Sequence, residues 1–171
     1  MAKKRIIKKS AAVRCEHPDG GTFYILPMTF DQGAKYVELI TKEGFERDDN
    51  GSILFSPKDG RVLKRYAADS QELISFSLEL LDRVEDFEFE EGVEVEMSDE
   101  NLRQVLTLMG TDDVEYEVEL DQYGKEFTGA EGQKKSGKGK ISKPTKENLF
   151  YWVTRKSALL AAQLNEVQKG N

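Results

Sequence analysis

The first 26 residues contain two short strand-like runs, at 11–17 and 22–26. Proline, aspartate and two glycines lie between them, and these residues favour a tight turn because proline fixes φ and glycine tolerates positive φ. Short runs rich in apolar and β-branched residues on either side of such a turn are typical of paired strands. The pattern therefore predicts an antiparallel hairpin.

A helix and a meander are predicted next along the chain. Thr29 is followed three residues later by a glutamine, which is the spacing of a capping box. We expect a helix over 30–42 that buries Tyr36, Val37 and Ile40. Three short strand-like runs then follow over 45–66, and an Asn-Gly pair joins the first two. Because Asn-Gly is a strong hairpin signal, we predict an antiparallel meander here.

Two further helices are predicted on either side of a second hairpin. Apolar residues recur at helical spacing over 69–84, and again over 99–109 after Ser98, a good N-cap residue. Between them, over 87–97, phenylalanine and valine alternate with glutamate around a glycine. That alternation predicts a hairpin with one buried face and one acidic face. The acidic face would carry Glu88, Glu90, Glu94 and Glu96.

The last fifty residues suggest a strand, a linker and a terminal helix. Residues 114–120 alternate strictly between apolar side chains and glutamate, which favours a strand, with a helix as the alternative. Residues 124–143 are rich in glycine and lysine and have almost nothing to bury, so they predict a flexible linker. Apolar residues at helical spacing follow, and they predict an amphipathic helix over 145–168.

Together these elements predict an α+β fold. Antiparallel hairpins and a meander would pack with about three helices in a body over 11–121. A basic arm over 1–10 would precede this body, and the C-terminal amphipathic helix would follow on its flexible linker. A helix on such a tether either packs on its own body or docks on a neighbouring subunit or partner groove. The sequence leaves both arrangements open.

The terminal helix carries the strongest candidate for a partner-docking face. Its apolar stripe includes the single tryptophan of the chain, and the alternative is a groove formed by the helix over 99–109. The candidate residues of the stripe are Leu149, Trp152, Val153, Leu160 and Leu164, and those of the alternative groove include Leu102 and Leu106.

Charge is segregated along the sequence. The first fourteen residues have six basic residues and no acidic ones, among them Lys3, Lys4 and Arg5. Seventeen acidic residues and only two arginines lie over 79–121. Eight basic residues and one glutamate lie over 133–156, among them Lys134, Lys135 and Lys138. These charges are either solvated surfaces, or basic segments that meet the acidic middle within one chain or between neighbours.

Composition excludes several classes of protein. The chain has 171 residues, a net charge of −7, and no run that approaches the roughly twenty apolar residues of a membrane span. Its N-terminus is basic but lacks the apolar segment of a secretory signal. We therefore expect a soluble intracellular protein without membrane contact. The net negative charge also disfavours a general nucleic-acid binder, although the basic segments could contact phosphates.

Candidate catalytic chemistry is weak. One cysteine and one histidine cannot form a structural zinc site, and we expect His17 to be a surface turn residue and Cys15 a small strand residue. The glycine- and lysine-rich stretch from Gly132 lacks the Ser or Thr and the preceding strand of a phosphate-binding loop. We therefore predict no enzyme activity, no metal and no cofactor.

One segment resembles a known family. Residues 86–106 combine an acidic stretch, a Gly-Val turn, a Ser-Asp cap and the run Glu-Asn-Leu-Arg before a leucine-rich helix. This pattern is similar to that of small tail-assembly proteins of bacteriophages, as is the strand and helix cap over 21–29. The resemblance covers about a third of the chain and does not include the linker or the terminal helix. It implies a non-enzymatic role, so it assigns no catalytic residue.

The resemblance implies a phage morphogenesis protein that binds tail proteins during assembly, in the manner of a chaperone. Its partners would be other phage structural proteins such as the tail tube or tape measure, and a homo-oligomer is left open. We expect it in the host cytoplasm, with the virion as an alternative. Two other functions compete: a structural virion protein whose arms cross subunit boundaries, and an acidic mimic of DNA that inhibits a DNA-binding enzyme.

Overall fold

The computed structural model describes residues 11–66, 69–94, 96 and 98–169. The predicted basic arm, with Lys3, Lys4 and Arg5, lies outside the described residues. The elements in chain order are β1 Val13–Glu16, β2 Thr22–Ile25, α1 Phe30–Ile40, β3 Glu43–Phe45, β4 Lys64–Tyr66, α2 Ser70–Glu79, β5 Leu81–Glu85, β6 Glu88–Glu90, β7 Val93–Glu94, α3 Asp99–Thr107, β8 Met109–Asp121, β9 Lys135–Asn148 and α4 Leu149–Lys169. Four helices and antiparallel sheets confirm the α+β prediction.

The body is built on a three-stranded antiparallel sheet in the order β1-β2-β5. The predicted first hairpin is present, since β1 pairs with β2 along its whole length. Phe23 and Ile25 of β2 face the core and are fully buried. Gly21, at the end of the turn, has φ +89°, and a Cβ there would lie 2.3 Å from Cζ of Phe87. The turn therefore requires glycine for both its backbone conformation and its packing.

The predicted helix over 69–84 is too long. It ends at Glu79, and β5 follows and pairs with β2. A register shift in this pairing leaves Asp82 without a directly opposite residue and places two buried residues, Leu81 and Val84, three positions apart. Such a bulge produces in a strand the apolar spacing that is typical of a helix.

The meander over 45–66 forms as a small antiparallel sheet beside the body. β3 pairs with β4, and isolated bridges join Arg47 to Ile53 and Phe55 to Val62. The Leu63 amide donates a 3.0 Å hydrogen bond to the Leu54 carbonyl, which links the second and third runs. The second predicted hairpin also forms, with β6 paired to β7.

The predicted flexible linker over 124–143 is wrong for its second half. Residues from Lys135 onward form β9, which pairs with β8 in a long antiparallel hairpin. β8 is longer than the predicted strand over 114–120, because it begins at Met109, directly after α3. Gly139 lies opposite Val118, and a Cβ on it would lie 2.6 Å from Cδ1 of Leu120. Glycine in β9 therefore makes room for bulky side chains of β8.

The terminal helix is part of the body. It begins at Leu149, four residues later than predicted, and the amide of Leu149 donates a 2.9 Å hydrogen bond to the carbonyl of Leu108 at the end of α3. The first half of α4 packs against α2, α3 and β2. The core contains one continuous cluster of buried side chains: Phe23, Ile25, Met28, Leu73, Ile74, Phe76, Leu80, Leu81, Val84, Leu102, Val105, Leu106, Leu149, Phe150, Trp152 and Val153.

Candidate interaction surface

The structure divides the predicted docking residues into two groups. Leu149, Trp152 and Val153 are buried in the core, so their assignment to a partner-docking face is wrong. Their apolar stripe packs against the body because α4 continues directly from the hairpin without a flexible tether. Leu160 and Leu164 lie about two and three turns beyond Val153; Leu160 is partly buried, Leu164 is exposed, and both line a groove.

The alternative groove on α3 is also absent. Leu102 and Leu106 are buried in the same core cluster, and α4 covers the face of α3 that would have formed the groove. Two hydrogen bonds from buried or nearly buried serines hold α4 in this position. The hydroxyl of Ser77 donates to the carbonyl of Phe150 at 3.2 Å, and that of Ser157 donates to the carbonyl of Leu26 at 2.6 Å.

The first exposed apolar surface is a groove between α1 and the second half of α4. Its volume is about 720 Å³. On α1, Phe30 and Val37 line it seven residues apart and are 92% and 55% exposed. Across the groove, α4 contributes three alanines and Leu164. A phenylalanine this exposed leaves almost its entire apolar surface in water, which is unfavourable in a chain without a partner.

A second groove lies on the other side of α4. Its volume is about 490 Å³, and it is lined by the start of β1 and by the last turns of α4. Leu164 is shared by both grooves, and Val167, which is 65% exposed, lines only the second. The second half of α4 therefore presents apolar side chains in two directions.

α1 is attached to the body along one face only. The predicted capping box is present: the Thr29 hydroxyl accepts from the Gln32 amide, and the Gln32 side chain accepts from the Thr29 amide. Tyr36 stacks on Phe76 of α2 with the ring centroids 6.1 Å apart. The predicted burial of Val37 and Ile40 is wrong, because no other element covers that face of α1 among the described residues.

The α1–α4 groove has an acidic border. Asp31 and Glu38 lie three residues before and four residues after Ala34, a groove residue, so all three share one stripe of α1. Glu166 lies four residues after Ala162 and borders the groove from α4 in the same way. All three carboxylates are exposed, and within the described part of the chain none forms an ion pair.

His17 is buried, which corrects the prediction of a surface histidine. It is 5% exposed, and its ring packs edge-on against Trp152 with a centroid distance of 4.8 Å. The amide of Asp19 donates a 3.1 Å hydrogen bond to Nδ1. Nε2 is buried without a partner in the described structure, and a Cβ on Gly110 would lie 2.8 Å from it. The start of the β8–β9 hairpin and α4 pack around His17 and enclose it.

Charged groups surround the buried histidine. Burial lowers its pKa, although nearby Asp19, Asp112 and Glu147 act in the opposite direction. Burial by itself would raise the pKa of Asp112, but hydrogen bonds from the Trp152 ring and a backbone amide hold it below its usual value. The Trp152 Nε1–H donates to this carboxylate at 2.7 Å. These contacts hold α4 against the first residues of the β8–β9 hairpin.

Cys15 lies on the edge strand β1 and is partly buried, as expected of a small strand residue. Burial raises the pKa of its thiol, and Lys156 offsets only part of this effect. A thiol with a raised pKa is mostly protonated at neutral pH and is therefore a poor nucleophile. This environment does not favour nucleophilic chemistry at Cys15.

Lysines of the predicted linker form ion pairs with glutamates of β8 and, in one case, with Glu126 in the segment that follows β8. Lys135 forms a 2.9 Å ion pair with Glu119, and Lys143 forms a 2.6 Å ion pair with Glu126. Lys138 lies directly opposite Glu119 in the register, and Lys134 precedes β9. The basic and acidic segments therefore meet within one chain here. Because these pairs are exposed, each contributes little to stability.

The predicted acidic face lies on the short β6–β7 hairpin. Glu88 and Glu94 are cross-strand partners, and Glu90 lies opposite Val93. Glu88 and Glu96 are exposed. The turn of this hairpin is held by contacts of the described residues. One of these is the 3.0 Å hydrogen bond from the Gly92 amide to the Glu88 carboxylate.

Within residues 11–66, 69–94, 96 and 98–169, no three His, Cys, Asp or Glu side chains gather into a group that could hold a metal. No described helix combines the length and apolar character needed to cross a membrane. In comparisons with known proteins, the chain matches no protein-family model, no curated protein and no solved structure.

Proposed function

We propose that the protein is a non-enzymatic phage morphogenesis factor that binds an apolar segment of a tail protein during assembly. The supporting observation is the groove between α1 and the second half of α4. It is open, it is apolar, and Phe30 at its edge is 92% exposed. The resemblance of residues 86–106 to tail-assembly proteins supplies the class of partner, the tail tube or the tape measure.

The groove would act by shielding. A tail protein that polymerises must keep its own apolar contact surface covered until assembly begins. Burial of apolar area is favourable by about 25 cal/mol per Å², so a side chain such as Phe30 gains roughly 1.5–3 kcal/mol when a partner covers it. A groove of this kind holds its partner reversibly and without covalent chemistry.

The proposal is tested by capture from a phage-infected lysate with identification of the bound proteins. Phe30→Asp and Leu164→Asp each place a carboxylate in the groove. Phe55→Asp is the matched control, because Phe55 is also exposed but lies in the meander. We expect the wild type and the control to retain a tail tube or tape-measure protein, and the two groove variants to lose it. Circular dichroism checks that each variant is folded.

Purified phage particles provide the second half of the test. A chaperone is absent from the mature particle, so the chain should not be detected there by mass spectrometry.

Equal capture of the tail protein by wild type and groove variants would contradict the proposal. Capture of a host DNA-binding enzyme in place of a tail protein would instead support the acidic DNA mimic. The ion pairs of the β8–β9 hairpin give that alternative less support, because they neutralise part of the acidic segment.

A structural virion protein is the second candidate, and the β8–β9 hairpin favours it. Its strands are 13 and 14 residues long, and a hairpin of this length can reach a neighbouring subunit. At its far end Tyr123 is 78% exposed. Detection of the chain in purified particles at a fixed ratio to a tail protein would support this candidate over the chaperone.

A further inference from the structure

Among the side chains that the structure describes, the unpaired charges at the border of the α1–α4 groove are acidic. Asp31, Glu38 and Glu166 border it on both helices and are exposed. The lysines of α1 and its C-terminal flank point elsewhere. Lys35 forms a 3.3 Å ion pair with Glu79, and Lys42 forms a 3.5 Å ion pair with Glu72, both on α2. The groove is therefore apolar in the middle and negative at its edges.

The floor of the groove suits a helical occupant. It is built from small residues on both helices: Gly33, Ala34, Ala158, Ala161 and Ala162. Small residues allow a third helix to approach closely, as in an amphipathic helix laid into a groove between two others. α1 has 11 residues and so is about 16 Å long, which corresponds to about three turns of an occupying helix.

We infer that the occupant of this groove is an amphipathic helix of about three turns whose apolar stripe is flanked by lysine or arginine. The inference rests on the proposed function and specifies the chemistry of the partner segment. The apolar stripe would cover Phe30 and Val37, while its basic flanks would pair with the acidic border. Complementary charge at such a border sets orientation and association rate, and its effect weakens with salt.

Two designed helical peptides test the inference on the full chain. Both have 14 residues and an identical leucine stripe, and the flanking residues are lysine in one and glutamate in the other. Fluorescence anisotropy gives the dissociation constants at 50 and 300 mM NaCl. We expect the lysine peptide to bind roughly tenfold more tightly at low salt, with most of this preference lost at high salt.

Three variants locate the effect. The triple variant Asp31→Asn, Glu38→Gln, Glu166→Gln should bind both peptides equally, because it keeps the apolar groove and removes its border charge. Phe30→Asp should bind neither peptide well. Phe55→Asp is the control and should bind like the wild type. Each variant is checked by circular dichroism, and none of these residues lies in the core.

The outcomes separate the inference from the proposed function. If both peptides bind the wild type equally and Phe30→Asp abolishes binding, the groove is a docking site but the inferred charge of its partner is wrong. If neither peptide binds the wild type or a variant that lacks residues 2–10, or if Phe30→Asp has no effect, docking in this groove is itself wrong. If the lysine peptide binds only a variant that lacks residues 2–10, the basic N-terminal segment of the chain is the occupant. If light scattering shows a dimer that Phe30→Asp dissociates, a second copy is the occupant. Either result would overturn the inference.

Discussion

At the scale of single residues, the contacts between His17, Gly110 and Trp152 show how closely the start of the β8–β9 hairpin packs on the body. The histidine is enclosed on one side by the tryptophan ring and on the other by the glycine backbone. Its Nδ1 accepts the Asp19 amide, so the proton of the neutral ring lies on Nε2, which is buried without a partner in the described structure. Protonation would place a charge in this enclosed position.

The buried histidine predicts a pH dependence of stability. Its pKa in the folded protein is lowered by burial, whereas in the unfolded chain it is about 6.5. The folded state therefore holds the ring neutral, and this contribution to stability is complete above pH 6.5. It is lost as the pH falls from about 6.5 towards the folded-state pKa. The slope for one proton cannot exceed about 1.4 kcal/mol per pH unit.

Urea unfolding at pH 7.5, 6.5 and 5.5 measures this effect on the free energy of unfolding. His17→Asn is the matched variant, since its side-chain oxygen can accept the Asp19 amide but cannot be protonated in this range. We expect the wild type to lose stability between pH 6.5 and 5.5 and the variant to change less. An identical loss in both proteins would assign the pH dependence to other groups.

The close packing around Gly110 predicts that a larger residue at this position lowers stability. A Cβ at this position would lie 2.5 Å from Cε1 of His17 and 3.1 Å from Cδ2 of Leu149. Gly110→Ala should therefore cost about 1–3 kcal/mol of stability through overpacking. Gly33→Ala is the control, because the helical Gly33 has open space around its Cβ and should gain about 0.5–1 kcal/mol. Equal effects of the two substitutions in urea unfolding would contradict the packing around His17.

At the scale of elements, the β8–β9 hairpin shows how a strand can form from a sequence without apolar alternation. β9 has five lysines, two glycines and Pro144, and one aliphatic residue, Ile141. β8 supplies the apolar and acidic side chains that β9 lacks, so β9 is stable as a partner of β8 and would not be stable alone. Lysine and proline on an open edge also disfavour pairing with other strands, which protects the hairpin from aggregation.

The hairpin predicts resistance to trypsin. Lys138 and Lys140 lie in the paired strand, whereas a flexible linker would expose both to rapid cleavage. A synthetic peptide of residues 133–146 provides the rate for the unstructured sequence. We expect the peptide bonds after Lys138 and Lys140 to be cut at least tenfold more slowly in the folded chain, because cleavage requires local opening of the strand. Ile141→Pro, which removes a backbone donor from the strand, should restore rapid cleavage.

At the scale of the whole molecule, α4 takes part in both the core and the exposed grooves. Its first half completes the core between the sheet and α2 and α3, and its second half forms the wall of both apolar grooves. One helix therefore contributes to stability and to the proposed docking surface in separate segments, divided near Ser157. Substitutions before this point should change stability, and those after it should change binding.

Two truncations test this division. A chain that ends after Asn148 loses four core residues, including Trp152, and truncating a buried leucine or aromatic side chain costs about 2–5 kcal/mol. Because domains are stable by only about 5–15 kcal/mol, this chain should show no cooperative unfolding transition. A chain that ends after Gln163 keeps the core and should unfold cooperatively. A cooperative transition in the shorter chain, measured by circular dichroism, would show that α4 is a tethered helix.

The local pattern of the sequence determined most of the elements. The α+β class, the first hairpin, the caps of α1 and α3 and the β6–β7 hairpin all follow from residues close to one another in the chain. Capping hydrogen bonds and turn conformations are interactions over two to four residues, so nearby sequence is sufficient to specify them. The strict alternation over 114–120 likewise predicts the middle of the acidic strand β8.

Only the tertiary structure decided which apolar faces are covered and which remain open. Apolar spacing gives Trp152 and Leu164 the same stripe, yet one is in the core and the other lines a groove. The bulge in β5, the strand β9 and the burial of His17 each depend on a partner that is distant in sequence. Burial is a property of the assembled neighbours of a residue, and a local pattern contains no record of those neighbours.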